Sequence, residues 1–470
     1  MKQTYMKITP LLAATIALSS LLAGCGGGSS SSANSSALVQ ATTTVTTTTT
    51  TLASADSLAG ICTPAGEKSW VRSHLDDVYL WYKEIIGVPA ANYSTSAEYF
   101  DALLVKSKDR FSFTEDQSAA DGFFQTGEDV SYGATWIRDA NHKLRVSYSE
   151  PNSPASDNGI GRGTQIVNIN GAPEGSLGRD VFLAVLYPTA GGQTNQFDVL
   201  DVGATATRRV SLTAKAVTLT PVPQSKVLIA AGKKIGYLVF HEHIATAGPQ
   251  LSAAMSSFQS SGIDDLVLDV RYNGGGYLYI AEELASMIGG APVQGKVAFK
   301  LQNNDKHANL DFTEYFSNLD IDNKPLPQLG MKRVFVLTSA NTCSASEAVI
   351  NSLSPFMQVI TIGSASCGKP YGMRQTNNCN TAYFAIAFQD VNSTGQLVPT
   401  TGYTPTCAAS DNVDQQLGDA NENLLSAALK YQATGACPTI ASTQSADARP
   451  NGKRGQDVYR APLRSNLLVK

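Results

Sequence analysis

The chain has 470 residues, of which 43% are hydrophobic and 16% are charged, and its formal net charge is −4. These values exclude a coiled coil, a collagen and a wholly disordered chain, and the length corresponds to about three domains of roughly 150 residues. Lysine and arginine form no block, which argues against a nucleic-acid partner. The seven cysteines and five histidines lack the spacing of zinc fingers.

Residues 1–24 are predicted to be a signal peptide. Two lysines precede an apolar run over 11–22 that is too short to span a hydrocarbon core of ~30 Å. The run ends in Leu-Ala-Gly before Cys25, which resembles the bacterial lipobox, and the glycine after Cys25 resembles lipoproteins sorted to an outer membrane. We expect a lipidated Cys25 that anchors the protein in the cell envelope without spanning a membrane. An ordinary secretory signal is the alternative.

A flexible linker is predicted over 25–57, where Gly, Ser, Thr and Ala leave too little large apolar surface to offset the cost of ordering the chain. Residues 58–114 then carry aromatic and apolar side chains at helical spacing, beginning at Trp70. This block is interpreted as a small helical domain whose role is packing, with a second helix over 98–106. A polar tail over 441–470 closes the chain.

Two further blocks contain strands. Residues 115–216 have the period of β-strands, and short strands are predicted over 132–137, 144–148, 165–169 and 209–212. Residues 217–440 alternate nearly continuous apolar strands, predicted over 235–240, 266–270, 334–337 and 359–362, with helices over 245–259, 281–288 and 346–353. Buried strands with intervening helices indicate an α/β layer structure with a largely parallel sheet.

The block 115–216 resembles a PDZ domain. The resemblance depends on the loop 131–136 and on the glycine-containing stretch 159–171, although Thr164 stands where such domains usually carry Asp. In PDZ domains, backbone N–H groups of a glycine loop capture a terminal carboxylate while the peptide adds a strand to the sheet. The resemblance therefore implies a peptide-binding loop at Tyr132, Gly133 and Ala134. A small β-domain without a ligand is the alternative.

If Cys25 is lipidated, six cysteines remain, an even number that suggests disulfides in an exported protein. Fifteen full pairings are open. Four of the six lie between Cys343 and Cys407, so we expect at least one bridge there, and Cys367 with Cys379 is the favoured pair. Free buried thiols are the alternative.

Two short motifs carry the chemistry. Ser344 lies between a predicted strand and a predicted helix, where the positive end of the helix stabilises developing negative charge. Such a serine needs a base, and a lysine can serve when burial lowers its pKa. Lys369, in a Gly-Lys-Pro turn after the next strand, is the candidate base.

These motifs, with the stretch 269–276, resemble the carboxy-terminal processing (tail-specific) serine peptidases. That family has a PDZ domain, a crotonase-like (ClpP-like) core and a Ser–Lys dyad, and it uses no metal or other cofactor. The resemblance implies that Ser344 is the nucleophile and that Lys369, 25 positions later, is the base. It also implies an oxyanion hole formed by backbone N–H groups of Gly275 or Gly276 and of Ala345.

The sequence departs from the family at two positions. Cys343 precedes the nucleophile where the family commonly has Ala, and Met373 stands where many members carry a Gln that orients the lysine. The third catalytic member is therefore open, with Gln375 and Glu347 as the candidates.

Other interpretations of the same residues are structural. Ser344 and Glu347 fit a capping box, and for Glu347 capping is favoured over catalysis. Ser346 is an alternative nucleophile. His241 and His243 face the same side of a strand, as some zinc ligands do, but no third ligand is near in sequence, and no Ser-His-Asp triad assembles from the motifs.

The sequence as a whole predicts a lipid-anchored serine endopeptidase that acts on protein or peptide substrates, engaged near a carboxyl terminus. The expected partners are the substrate and the membrane. The alternative is a non-catalytic surface lipoprotein that binds peptides or an apolar ligand through the same domains.

Overall fold

The computed structural model describes residues 52–139 and 141–439, and it also describes two short strands at 458–459 and 467–468. The predicted signal peptide, Cys25 and most of the linker lie outside the described residues, as does the rest of the polar tail. Within the described part of the chain, no helix has the length and apolar character needed to cross a membrane.

The first elements are mainly helical. Thr63 caps the second helix and Pro64 begins it, while Thr95 and Glu98 form a capping box at the third. Trp70, Leu75 and Tyr79 of the predicted stripe are buried, and Val78 and Tyr82 are partly buried against the same core, which agrees with the packing interpretation. The elements are α1 (Ala55–Leu58), α2 (Pro64–Val78), α3 (Ser96–Leu103), β1 (Phe113–Asp116) and α4 (Gln117–Asp121), followed by a π-helical turn at Gly122–Thr126.

The next block is rich in strands, as predicted. Its main sheet is antiparallel in the order β3-β4-β5-β7-β8, with β6 beside β5 and the two-residue strand Val458–Tyr459 beside β3, and β2 and β9 form a separate two-stranded ribbon. The elements are β2 (Glu128–Ser131), β3 (Ala134–Arg138), β4 (Leu144–Ser149), α5 (Pro154–Asp157), β5 (Gln165–Ile169), β6 (Ala172–Pro173), α6 (Arg179–Leu186), β7 (Thr194–Leu200), β8 (Arg208–Thr213) and β9 (Lys215–Thr218).

The last block alternates strands and helices. Its elements are β10 (Gln224–Ala230), β11 (Lys233–Val239), α7 (Ala247–Ser261), β12 (Asp265–Asp269), β13 (Gly276–Tyr277), α8 (Leu278–Gly289), β14 (Val297–Asn303), β15 (Phe312–Tyr315), β16 (Arg333–Thr338), α9 (Ala345–Leu353), β17 (Gln358–Gly363), β18 (Tyr371–Asn378), β19 (Thr381–Asn392), β20 (Cys407–Ala408), α10 (Asn423–Thr434), β21 (Val458–Tyr459) and β22 (Leu467–Leu468).

One sheet of this block has the order β10-β11-β12-β16-β17-β20. All neighbours from β11 to β20 are parallel, and every residue of β12 is buried, so the predicted parallel α/β arrangement is confirmed. The carboxyl ends of β12, β16 and β17 meet at one edge. In open α/β sheets this edge is where ligands bind, and it holds the candidate site.

A second sheet, which the sequence did not predict, packs beside the first. Its order is β13-β22-β18-β19-β14-β15, and β1 from the helical block pairs with β19. Buried side chains of the helical block and of both sheets form one continuous cluster. The helical block is therefore built into the core that carries the site.

Three disulfides join the six cysteines: Cys62–Cys379, Cys343–Cys367 and Cys407–Cys437. The expected bridge within the stretch from Cys343 to Cys407 is confirmed by Cys343–Cys367, but the favoured pair Cys367–Cys379 is wrong. Cys379 lies in the turn between β18 and β19, where it meets Cys62 just before α2, while Cys367 lies in the loop after β17 and meets Cys343.

Candidate active site

Ser344 lies in the predicted turn between β16 and α9, as the N-cap residue of the helix. Its backbone has φ +60° and ψ −117°, a conformation that costs free energy for any residue other than glycine and is common at functional sites. The side chain is buried, and its hydroxyl has no hydrogen-bond partner among the described residues. Ala345 opens the helix, so its N–H belongs to the first turn, where N–H groups lack intrahelical acceptors.

Lys369 is held in the loop between β17 and β18 and is 1% exposed. Its Nζ lies 5.3 Å from the centre of the Phe111 ring and 3.9 Å from the Met373 sulfur. Burial lowers the pKa of Lys369 to about 7, against the opposing influence of the Asp109 and Glu347 charges. A substantial fraction of the amine is therefore neutral at neutral pH.

Glu347, three residues into α9, connects the serine to the lysine loop. One carboxylate oxygen accepts the N–H of Ser344 at 3.0 Å and the N–H of Lys369 at 2.9 Å. The other accepts the N–H of Gly368 at 2.8 Å and the hydroxyl of Ser366 at 2.6 Å. Burial raises the pKa of Glu347, although these donors favour the carboxylate. The predicted capping contact to Ser344 is present, and Glu347 also fixes the backbone of Lys369.

A disulfide makes a second connection between the same two segments. Cys343 immediately precedes Ser344, and Cys367 lies two residues before Lys369; their Cα atoms are 5.1 Å apart. The Cys367 N–H also donates to the Thr342 carbonyl at 3.0 Å. Cys343, the departure from the family pattern noted above, thus has a defined partner at the site.

The glycine stretch after β12 is the third part of the site. Gly276 has φ +134°, and a Cβ there would lie 2.2 Å from the His243 carbonyl oxygen, so only glycine fits. The Asn273 carbonyl accepts the Cys343 N–H at 3.1 Å, which brings this loop against the nucleophile turn. Of the predicted oxyanion donors, the Gly275 N–H is already bound to the Asn273 side-chain oxygen at 2.9 Å, which leaves Gly276 and Ala345 as candidates.

His243, one of the two histidines that face the same side of a strand, supports this loop. Its Nδ1 lies 3.0 Å from the Asn273 Oδ1, and burial lowers its pKa to about 3, so the ring is neutral. His241 stacks on Tyr148, with ring centres 3.8 Å apart. Within the described residues, neither histidine belongs to a group of three or more potential metal ligands. The one such group, Cys343, Glu347 and Cys367, contains the two disulfide-bonded sulfurs.

The loop 109–111 of the helical block completes the surroundings of Lys369, and sequence reasoning missed it. Phe111 covers the amine, and the Arg110 guanidinium donates to the Cys367 carbonyl at 2.6 Å. Asp109 is buried and accepts the Tyr79 hydroxyl at 2.8 Å. No local pattern in the sequence connects this loop to a lysine more than 250 positions away.

Gln375, one candidate for the third catalytic member, lies on β18 beyond Met373. Its amide nitrogen donates to Asp121 at 2.8 Å and to Asn377 at 3.0 Å. The side chain at 373 is the one that meets the Lys369 amine. The role of Gln375 stays a prediction, and Glu347 has the more direct connection to both Ser344 and Lys369.

The predicted peptide-binding loop lies where the chain enters β3. Gly133 has φ +74°, and a Cβ there would lie 2.2 Å from the Ser153 Cβ. Tyr132 is buried, with its hydroxyl accepting from Asn195 at 2.8 Å, and Ala134 is the first residue of β3. The loop is therefore tightly packed, and its role in peptide binding stays a prediction.

The protein combines a parallel α/β core with a buried serine at a strand-to-helix turn, a buried lysine and a glycine loop. This combination is typical of a hydrolase, which is the candidate class of the protein. Comparison with known families makes this more specific. Residues 234–405, which include all three parts, match the model of peptidase family S41, and residues 66–113 match the peptidase S41 N-terminal domain. The chain is therefore related to the S41 peptidases.

Two curated proteins that the chain matches are named as processing proteases. The carboxyl-terminal-processing protease of Picosynechococcus sp. is 26% identical over 226 residues, covering 48% of this chain and 50% of that protein. The carboxy-terminal processing protease CtpB of Bacillus subtilis is 28% identical over 221 residues, covering 46% and 42%. The chain thus spans about half the length of the curated relatives it matches. A crystal structure described as a putative S41 protease from Bacteroides fragilis shares the fold, with a TM-score of 0.64 at 24% identity over 77% of this chain and 96% of that one.

Proposed function

We propose that the protein is a serine endopeptidase that cleaves protein or peptide substrates through Ser344 and Lys369. The observation that carries the proposal is the buried lysine: its pKa is lowered to about 7, and Glu347 connects its backbone directly to that of a buried, strained serine. Keeping a lysine neutral inside a protein costs several kcal/mol, since each pKa unit corresponds to about 1.4 kcal/mol. A site that bears this cost fits a general base better than a structural cation.

In the proposed reaction the neutral Lys369 amine takes the proton of the Ser344 hydroxyl as the oxygen attacks the scissile carbonyl carbon. The N–H groups of Ala345 and Gly276 stabilise the negative charge that develops on the carbonyl oxygen. The resulting ammonium then gives its proton to the departing amine as the C–N bond breaks. Water, deprotonated by the same amine, hydrolyses the acyl-enzyme and restores the serine.

The β-rich block is proposed to act as a PDZ-like domain that holds the substrate near its carboxyl terminus. Support comes from the glycine loop at Gly133 and from β3, whose edge opposite β4 pairs with the two-residue strand β21. A peptide that takes the place of β21 would add a strand at this edge. We also propose a lipid anchor at Cys25, and this part of the proposal is based on the sequence alone.

The direct test is the pair Ser344→Ala and Ser346→Ala. Both serines are buried in the same turn, but only Ser344 is assigned to attack the substrate. We expect Ser344→Ala to lose peptidase activity by roughly 10³-fold or more and to lose labelling by a fluorophosphonate, while Ser346→Ala keeps both. Circular dichroism checks that each variant folds. A Ser344→Ala protein with full peptidase activity would refute the assignment, and a folded wild-type protein that never labels would favour the binding-protein alternative.

A further inference from the structure

A cavity of about 490 Å³ lies where the β-rich block meets the parallel core. One wall is formed by the end of β4 and the loop before β5, and the other by the start of β10 and the end of β11. This volume is typical of small-molecule sites, which occur preferentially where two domains meet. Ser344, Lys369 and Gly276 are not among the residues that line the cavity, so it is distinct from the candidate active site.

Part of the lining is apolar or aromatic. Ile160, Val239 and Leu417 contribute aliphatic side chains, and Tyr148 stacks on His241 with ring centres 3.8 Å apart. An apolar group that enters the cavity would leave water and contact these side chains, which is favourable in proportion to the area buried. The lining therefore suits a ligand with an apolar or aromatic portion.

Glu150 adds a buried acid to the same lining. Its side chain is only 6% exposed, and one carboxylate oxygen accepts the Thr220 N–H at 2.9 Å. Burial raises the pKa of Glu150 to about 7, and the charges of Glu242 and Asp129 act in the same direction. Within the described residues, no lysine, arginine or histidine forms an ion pair with Glu150. The cavity thus contains a carboxyl group whose negative charge has no compensating cation there.

Arg162 also lines the cavity, but its charge is already balanced. Its five N–H donors all have acceptors, which are the carbonyls of Gln415, Ser147 and Asn412, the Tyr272 hydroxyl and the Asp411 carboxylate. The guanidinium therefore has no unused donor for an anionic ligand. The unbalanced charge in the lining is the negative charge of Glu150, which favours a cationic ligand.

We propose that this cavity binds an organic ammonium ion with an apolar portion, and that Glu150 is the counter-ion of the amine. A primary ammonium supplies three N–H donors and the positive charge that Glu150 lacks. A divalent metal ion fits less well, because among the described residues Glu150 belongs to no group of three potential ligands and the cavity is far larger than an ion. A free amine and the lysine side chain of a peptide share this chemistry. The proposal goes beyond the proposed peptidase function and does not depend on it.

The first experiment measures binding to the full-length protein by isothermal titration calorimetry. The probe is phenethylamine, and phenethyl alcohol is its uncharged counterpart. We expect the amine to bind about tenfold more tightly than the alcohol, and Glu150→Gln to lose this difference, because the amide keeps an acceptor for Thr220 but carries no charge. Glu128→Gln, at an exposed position of the same block, is the control and should keep it. Equal affinity for the two probes, no saturable binding of the amine, or an unchanged affinity in Glu150→Gln would overturn the proposal.

Gly161→Leu tests the cavity without changing Glu150. Gly161 lines the cavity, a Cβ there would meet nothing within 4 Å, and its φ is not positive, so a side chain can be added without backbone strain. Gly175→Leu, equally open but outside the lining, is the matched control. We expect Gly161→Leu to weaken binding of both probes by about tenfold, because the added side chain takes up ligand space, while the control binds as the wild type does. Unchanged binding by Gly161→Leu would place the amine elsewhere on the protein.

A displacement experiment identifies the source of the ammonium. An acetylated and amidated Ala-Lys-Ala peptide and its norleucine counterpart are each titrated against bound phenethylamine. Displacement by the lysine peptide alone assigns the cavity to a basic side chain of a peptide, and displacement by neither assigns it to a free amine. Displacement by both peptides equally would contradict a site that selects an ammonium. None of these measurements depends on Ser344, so a protein that binds the amine but hydrolyses no peptide would refute the proposed function alone.

Discussion

Arg271 and Lys369 are both buried in the same core, but their pKa values shift in opposite directions. Around Arg271, all five N–H donors of the guanidinium have carboxylate acceptors in Asp269, Glu422 and Asp411. Burial alone would disfavour this cation, but the three carboxylates hold the pKa of Arg271 above its usual value. At Lys369 burial prevails and the pKa falls to about 7, and the hydroxyl of Ser344, whose backbone Glu347 joins to that of Lys369, has no partner among the described residues.

The difference teaches that burial of a charged side chain does not by itself mark a functional site. The Arg271 cluster is balanced, and it also joins the β-rich block to the core, because Arg162 donates to Asp411 at 2.6 Å and to the Tyr272 hydroxyl at 2.6 Å. At Lys369 the effect of burial on the pKa exceeds that of the Asp109 and Glu347 charges, which fits the proposed acid–base role. The predictions that follow separate the two roles.

The largest effect is expected from Lys369→Met. Loss of the proposed base should lower turnover by about 10²- to 10⁴-fold. Stability should move the other way: the buried amine binds fewer protons in the folded state than in the unfolded chain, so its removal should raise the free energy of unfolding at pH 7, by as much as ~4 kcal/mol. Peptidase assays and urea denaturation measure the two effects. Lys300→Met, at an exposed position, is the control, and a marked loss of stability in Lys369→Met would mean that the amine is a structural cation.

The next largest effect is expected from Arg271→Met, and it is a loss of stability rather than a gain. Arg271→Met leaves Asp269, Glu422 and Asp411 without their shared cation, so we expect a loss of about 3–5 kcal/mol in the free energy of unfolding. Arg209→Met, which breaks an exposed pair with Asp198, should change the unfolding midpoint little. An unchanged midpoint in Arg271→Met would show that the balance described here does not stabilise the fold.

The two short-range disulfides allow a matched comparison. Cys343–Cys367 and Cys407–Cys437 join residues 24 and 30 positions apart, so removing either pair by double substitution to Ala should cost about 3 kcal/mol of stability. Only loss of Cys343–Cys367 should also lower turnover in the folded protein, because this bridge fixes the serine turn against the lysine loop. Equal turnover of the two double variants would assign Cys343–Cys367 to stability alone.

The smallest effect concerns pH. Peptidase activity should rise with pH through about 7 as Lys369 loses its proton, and the free energy of unfolding should rise from about pH 7 to 10.5, where the unfolded chain binds the additional proton. Phe111→Ala should let water reach the amine, raise its pKa and move the activity midpoint about one unit higher. Phe113→Ala opens a similar cavity beside Phe384 and serves as the control. Identical pH profiles for the two variants would show that Phe111 does not shield the amine.

Much of the parallel core could be predicted because its strands are buried on both faces and therefore consist of nearly continuous apolar residues, as in β12 and β16. In the second sheet, β18 is largely polar and could not be recognised from its composition, whereas β19 has a nearly continuous apolar run that was not recognised as a strand. The two-residue turn between β18 and β19 is formed by Cys379 and Asn380, which both have positive φ. The sequence signal for this tight hairpin is the set of asparagines around Cys379, since asparagine tolerates positive φ.

At the site, Ser344 and Lys369 could be located because each follows a strand of the parallel sheet. The contacts of Glu347 could be predicted only in part, since the capping of Ser344 is local while the bonds to Gly368 and Lys369 depend on the fold. The loop 109–111 and the partner of Cys343 were beyond sequence reasoning for the same reason. The spacing of residues along the chain does not show which loop covers a given side chain in the folded protein.

The disulfide between Cys62 and Cys379 constrains the order in which folding and disulfide formation can occur. These residues are 317 positions apart, so the Cys62 thiol has no proper partner until the chain has been synthesised as far as Cys379. Cys343 and Cys367 emerge earlier and are available first as mispaired competitors. Correct oxidation therefore depends on folding preceding covalent closure, and a thiol–disulfide isomerase would be expected to raise the yield of the native protein.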